Sequence, residues 1–187
     1  MASRKKPFPL EQLSEESQRL FDVLNSEPDV PAVLVAASFL DQSLASMLSR
    51  FFIESRTSDK LLDPNGGALG TFSSRIDIAY VLGFINKYMY QDLLTIAEIR
   101  NLVAHSHLTV DLNSDDIARK VSELKYLEAL ENPDPKNQNP QPGLLRSYIN
   151  SNRDRFTLTV VMISQQLLVR GLGVKRREQN MGKRKKT

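Results

Sequence analysis

Apolar residues recur along this chain at the three- and four-residue spacing of a helix, and the two-residue alternation of a half-buried strand is scarce. Leu13, Leu20, Phe21 and Leu24 form one stripe, which predicts a first helix from near Pro9, ended by "SEPDVP". A second, long helix is expected from about Pro31, a residue suited to a first helical turn. Val33, Ala36, Ala37, Leu40, Leu44, Met47, Leu48 and Phe51 line one side of it. Arg56 to Gly70, "RTSDKLLDPNGGALG", reads as a long loop rich in turn formers. Thr71 then caps a third helix, "FSSRIDIAYVLGFI", which is apolar almost all round from Ile76 to Ile85 and is expected to lie centrally buried.

A fourth helix runs from about Tyr90 to His105. A fifth opens at Asn113 or Ser114, with Asp115 and Asp116 at the end that favours negative charge. The stretch "ENPDPKNQNPQPG" holds four prolines in 13 residues and is a second irregular loop. A last helix spans roughly Leu144 to Val169 and closes at Gly171. The pattern predicts an all-α protein: one compact domain of five to six helices over residues 9–172, with two long loops. Residues 1–8 form a flexible basic N-terminus, and residues 173–187 a basic tail expected to be disordered.

Length and composition narrow the chemistry. With 187 residues the chain buries a core without cross-links. It has no cysteine, which removes disulfides, thiolate nucleophiles and thiolate-bound metals. Two histidines rule out a histidine-rich metal site, so neither metal nor cofactor is expected. The N-terminus lacks the apolar stretch of a secretory signal. The longest uncharged apolar-leaning run, Phe156 to Val169, covers 14 residues, short of the roughly 20 that cross a bilayer. The expectation is a soluble cytoplasmic protein with no membrane contact.

The net charge of +3 is unevenly placed. Residues 1–6 carry +3 and residues 175–187 carry +6, so residues 7–174 carry −6. The folded part therefore offers no basic face for a phosphate backbone. Any contact with nucleic acid falls to the tail residues Lys175, Arg176, Arg177, Lys183, Arg184, Lys185 and Lys186.

One stretch, "IRNLVAHS", sets an arginine among apolar neighbours. With Leu93 as zero and about 100° per residue, Arg100 falls at about 340°, near the centre of an arc made by Leu93, Ile96, Ala97, Ile99, Val103 and Ala104. Asn101 and His105, at about 80° and 120°, are neighbours on one edge. A buried guanidinium keeps its charge and requires carboxylates and hydrogen bonds around it. Asp41 and Asp77 also interrupt apolar helix faces, and Arg75 sits in a first helical turn, where the helix dipole opposes a cation. One reading joins Asp41, Arg75, Asp77 and Arg100 in a buried polar network, or a ligand site, that locks three helices in register. The other is a metal-independent ribonuclease, with His105 as general acid or base, Arg100 stabilising charge on phosphorus and Asn101 orienting the substrate. It calls for a second imidazole, from His107 or from a partner copy.

"GALGTFSSRIDIAYVLGFIN" (Gly67 to Asn86), followed by "DLLTIAEIRNLVAHS", resembles the mannitol operon repressor family, and Leu24 to Leu44 is similar to the helix preceding that element. The match covers roughly residues 20–125, with Leu69-Gly70 and Ser74-Arg75 its most specific part. The resemblance implies an all-helical bacterial regulator without a helix-turn-helix, acting on transcription through a protein partner. We take the chain as such a module, a homodimer by expectation. "RNLVAH" also resembles the Arg-x4-His signature of the HEPN superfamily of helical nucleases, which would place Arg100, Asn101 and His105 on the active pattern.

Overall fold

The computed structural model describes residues 9–106, 110–132 and 143–175. Among them are eight α-helices and no strand: α1 (Glu15–Ser26), α2 (Asp29–Phe51), α3 (Arg56–Leu62), α4 (Phe72–Val81), α5 (Lys87–His105), α6 (Asp115–Ser122), α7 (Tyr126–Glu131) and α8 (Asn152–Gly173). The all-α expectation holds, with more helices than the five to six read from the pattern. The tail from residue 176, His107 and most of the proline-rich loop lie outside the described residues.

Helices α2 and α8 carry the core. α8 packs along α2 and α1, while α5 packs against α2 and α4. Leu24, Leu40, Leu44, Leu48, Leu93, Ile96 and Val160 are withdrawn from water entirely. Each such side chain contributes about 1.5–3 kcal/mol relative to exposure. By length and composition alone α2 and α8 could each cross a membrane, with mean hydropathies of 1.4 and 1.2. Here the apolar faces are spent on each other and on the neighbouring helices.

Local chemistry fixes most helix starts. Ser14, Thr71, Asn86 and Ser151 each accept a hydrogen bond from a backbone N–H two or three residues into the following helix. Thr71 and Ser74 form a reciprocal capping box. Ser114 precedes α6 as expected, with Asp115 and Asp116 in its first turn, but its hydroxyl makes no cap bond.

The structure corrects four expectations. The stretch read as one loop from Arg56 contains α3, opened by a capping box between Ser55 and Ser58. None of its residues is buried, so no apolar stripe announced it. Helix α4 stops at Val81, because Gly83 takes a positive φ of 74° and turns the chain. It is not central either: Arg75, Ile76 and Ala79 are its buried residues, and Val81 is 78% exposed. Helix α7 was unforeseen. The last helix begins at Asn152 rather than Leu144, after a 3-10 turn at Leu145–Tyr148, and runs through Gly171 to Gly173.

The segment between α3 and α4 folds back on α3. Gly67 N–H donates to Asp63 O at 2.8 Å, and Leu69 N–H to Leu61 O at 2.8 Å. A Cβ on Gly67 would lie 2.4 Å from Leu61 O and 2.5 Å from Lys60 O, so only glycine fits there. At the opposite side of the bundle, Arg153 in the first turn of α8 pairs with Asp29 and donates to the carbonyls of Leu24 and Glu27. It ties the α1–α2 corner to the last helix.

Candidate functional site: the α3–α4 anchor and the α5–α6 cleft

Of the four residues expected to share one polar network, the structure brings two together. Arg75 is 6% exposed, and its guanidinium is fully engaged. Nη1 donates to Asp41 Oδ1 at 2.7 Å, Nε to Leu69 O at 2.9 Å and Nη2 to Leu62 O at 3.0 Å. A cation in the first turn of α4 is thus explained by an aspartate on α2, by the carbonyl of Leu62 at the end of α3 and by that of Leu69 in the folded-back segment, and it fastens α2, α3 and α4 at one point.

Asp77 and Arg100 lie outside this cluster. Asp77 is exposed and accepts the Tyr90 hydroxyl at 3.0 Å. That hydrogen bond, more than any burial, holds the Tyr90 phenol above its ordinary range. Tyr90 also stacks on Tyr80 at 4.5 Å between ring centroids, so this corner clips α4 to α5 on the surface. Arg100 is exposed, and its Nη1 donates to the neighbouring Asn101 Oδ1 at 2.9 Å. The expectation that it points inward is corrected. The buried arc of α5 is made by Met89, Asp92, Leu93, Ile96, Ala97, Ile99 and Val103. Arg100 at about 340° lies only about 30° from the mean direction of these residues, so the face itself is not misplaced. Over the last turns of α5 the buried positions narrow to Ile99 and Val103, at about 240° and 280°, while Ala104, at about 20° and counted as core, is exposed.

Asp92 is the buried charge of this helix, and nothing in the apolar pattern marked it as functional. On the same wheel it falls at about 260°, between Ile99 and Val103, which was the available signal. It is 1% exposed. Its carboxylate accepts from Lys125 N–H at 3.0 Å and from Tyr126 N–H at 2.8 Å. It thereby caps α7, whose own N-cap residue, Lys125, makes no side-chain cap bond. Burial pushes its carboxyl up to about 6, against the lowering effect of those two N–H groups and of Arg155.

Asn101 and His105 do meet, on the wall of an open cleft of about 680 Å³ between α5 and α6. Leu102, Val110 and Ile117 give it an apolar lining, and Glu98, Asp115, Asp116 and Lys120 a charged rim. Leu102 is 41% exposed. Lys120 reaches across to Glu98 at 2.6 Å, and that carboxylate holds its ammonium above the ordinary range. Arg100 is not among the lining residues. Its guanidinium instead reaches the cleft edge only through Asn101, and no further observation supports the nuclease reading. Among the described residues no group of three or more acidic or imidazole side chains is arranged to hold a metal ion.

Over the described residues, the fold and its surfaces define an all-helical domain with an anchored α3–α4 segment and an open, mixed apolar–charged cleft between α5 and α6. Residues 16–171 match the mannitol repressor family, MtlR, and the chain belongs to that family. The match reaches well beyond the residues 20–125 that carried the resemblance. Among solved structures, the chain is similar to one described as the X-ray structure of the MtlR–HPr complex from Escherichia coli. The similarity has a TM-score of 0.62 at 22% identity, over 82% of this chain and 99% of that one. A search of curated protein sequences gives no match.

Proposed function

We propose that this mannitol repressor family member is a cytoplasmic transcriptional regulator that acts by docking a protein partner, and that the α5–α6 cleft is its docking face. The carrying observation is the family match over residues 16–171. The structural relative was solved in complex with HPr, which makes HPr the partner to try first. The charge distribution supports a protein-mediated effect, since residues 7–174 carry −6 and no helix among the described residues is a cationic recognition helix for a major groove. The cleft has the composition of a transient interface, an apolar centre with an exposed leucine and a polar rim.

Isothermal titration of the purified chain with HPr tests this reading. Binding is the expected result, and Leu102→Asp should weaken it at least tenfold while leaving the helical circular dichroism signal unchanged. A wild-type chain that gives no heat with HPr overturns the partner. Unaltered affinity in Leu102→Asp moves the docking face elsewhere.

A further inference from the structure

The chain has one asparagine followed by glycine, Asn65–Gly66, and the structure sets the pair in the turn of the fold-back between α3 and α4. The Asn65 backbone N–H donates to Asp63 Oδ1 at 2.9 Å, but its side-chain amide makes no hydrogen bond among the described residues. The Gly66 N–H makes none either. Both residues are exposed, and nothing lies within 4 Å of where a Cβ of Gly66 would stand, so a ring can close there without a clash. By contrast, Asn25, Asn86, Asn101 and Asn152 engage their side-chain amides in hydrogen bonds, and each is followed by a residue whose side chain crowds the next nitrogen. What surrounds Asn65–Gly66 is tight. Gly67 N–H returns to Asp63 O at 2.8 Å, and Leu69 N–H to Leu61 O at 2.8 Å. A Cβ on Gly70 would stand 2.4 Å from Asp63 O, as close as one on Gly67 to Leu61 O. The link from Asp63 to Gly67 therefore has no slack for an added atom. Beyond it, Leu69 O accepts from Arg75 Nε at 2.9 Å.

We propose that Asn65 is a site of spontaneous deamidation, and that its isoaspartyl product releases the folded-back segment from Arg75. The Gly66 nitrogen, having given its proton to hydroxide or a buffer base, attacks Asn65 Cγ. A C–N bond forms, the bond from Cγ to Nδ2 breaks, and the side-chain nitrogen takes up a proton and leaves as ammonia. Water then opens the cyclic imide. Attack at Cγ yields aspartate. Attack at the main-chain carbonyl carbon yields isoaspartate, in which the chain runs through the former side chain and is longer by one methylene. Water is the co-reactant, and nothing is oxidised or reduced. Aspartate adds only a charge to an exposed turn. Isoaspartate adds a main-chain atom inside the Asp63–Gly67 link, where Gly67 and Gly70 already press on carbonyl oxygens, so Gly67 and Leu69 must shift. Leu69 O is one of the three acceptors that hold the Arg75 guanidinium, so its displacement loosens the junction of α2, α3 and α4. This modification is independent of the partner docking proposed above.

Ageing the purified full chain at pH 6 and at pH 9, then mapping its tryptic peptides by mass spectrometry, tests the proposal. The peptide of residues 61–75 should gain the mass of an amide-to-acid exchange, at least tenfold faster at pH 9, because the attacking nitrogen must lose its proton. Enzymatic methylation of isoaspartyl groups should label the same peptide. Asn65→Gln, whose ring would be six-membered, should react at least tenfold more slowly and keep the wild-type circular dichroism signal. The isoaspartyl fraction, separated by ion exchange on its added charge, should melt about 5 °C below the unreacted chain, the equivalent of one or two backbone hydrogen bonds. Asn65→Asp carries the charge without the extra atom and should melt within about 2 °C of wild type. A peptide that converts no faster than in Asn65→Gln overturns the site. An isoaspartyl fraction that melts with the unreacted chain, or Asn65→Asp melting as low as that fraction, overturns the release from Arg75.

Discussion

Replacing Arg75 is the sharpest test of how this fold is held. Arg75→Met keeps the stem that packs between α2 and α4 but removes three hydrogen bonds from a charged donor, to Asp41, Leu62 O and Leu69 O. Such bonds contribute about 1.5–3 kcal/mol each when buried. Leu62 and Leu69, which supply the two carbonyls, are half-buried, so water replaces part of the loss, and the Asp41 side chain is 31% exposed, so its pairing is discounted for solvent screening. The expected cost is about 3–4 kcal/mol, or roughly 10 °C in melting temperature for a domain of this size. Arg75→Lys should lose about 2 kcal/mol, because an ammonium is a point charge and cannot reproduce the three-way fork. Asp41→Asn should lose only about 1 kcal/mol, since an amide oxygen still accepts from Nη1. Urea unfolding followed by circular dichroism measures all three, and a double-mutant cycle between Arg75→Met and Asp41→Asn isolates the pair. An Arg75→Met chain within 1 kcal/mol of wild type would refute the reasoning, because the α3–α4 segment would then hold without the guanidinium.

Two other side chains give opposite expectations. The Asp92 carboxyl is pushed up to about 6 from an ordinary 3.8, so its contribution to stability is complete below pH 4 and is lost as pH rises through 6. The difference between the two states corresponds to about 3 kcal/mol. Asp92→Asn should therefore show a smaller decline than wild type between pH 4.5 and 7 in urea titrations, and identical pH profiles would sink the assignment. Arg100→Ala should change stability by no more than about 0.5 kcal/mol, as for exposed positions without a special role. A loss above about 1.5 kcal/mol in thermal melts would restore the inward placement rejected above.

How much of this was legible in the sequence depended on whether a residue's environment is set locally. Helix starts were legible: Thr71 caps α4 because a capping oxygen reaches only two or three residues ahead, and α6 begins where Asp115 and Asp116 favour a first turn, without a cap bond from Ser114. The long core stripe of α2 was legible for the same reason of period, and seven of its eight expected members are buried, Phe51 being half-exposed. What a short helix packs against was not. Helix α3 buries nothing and α7 is held by Asp92 from 33 residues away, so neither carries its own pattern. Alanine was the treacherous residue. It suits core and surface equally, so the exposed Ala104 was counted as core. Yet Arg100 lies within about 30° of the centre of the buried arc with or without it, and a helical wheel does not report that the packing narrows toward the end of α5. The ion pair of Arg75 with Asp41 was guessed from misplaced charge, but its two carbonyl partners depend on the Gly67 fold-back, which no periodicity reports.

The Arg153 tie has a consequence for the order in which the protein is made. The carbonyls of Leu24 and Glu27 and the carboxylate of Asp29 all wait for a donor encoded more than 120 residues later. A chain emerging from the ribosome can wind α1 and α2 early, but their shared corner stays unfastened until the start of α8 has emerged. Maturation is thus timed by the arrival of the last helix, and a message truncated before it should yield a product fit only for proteolysis.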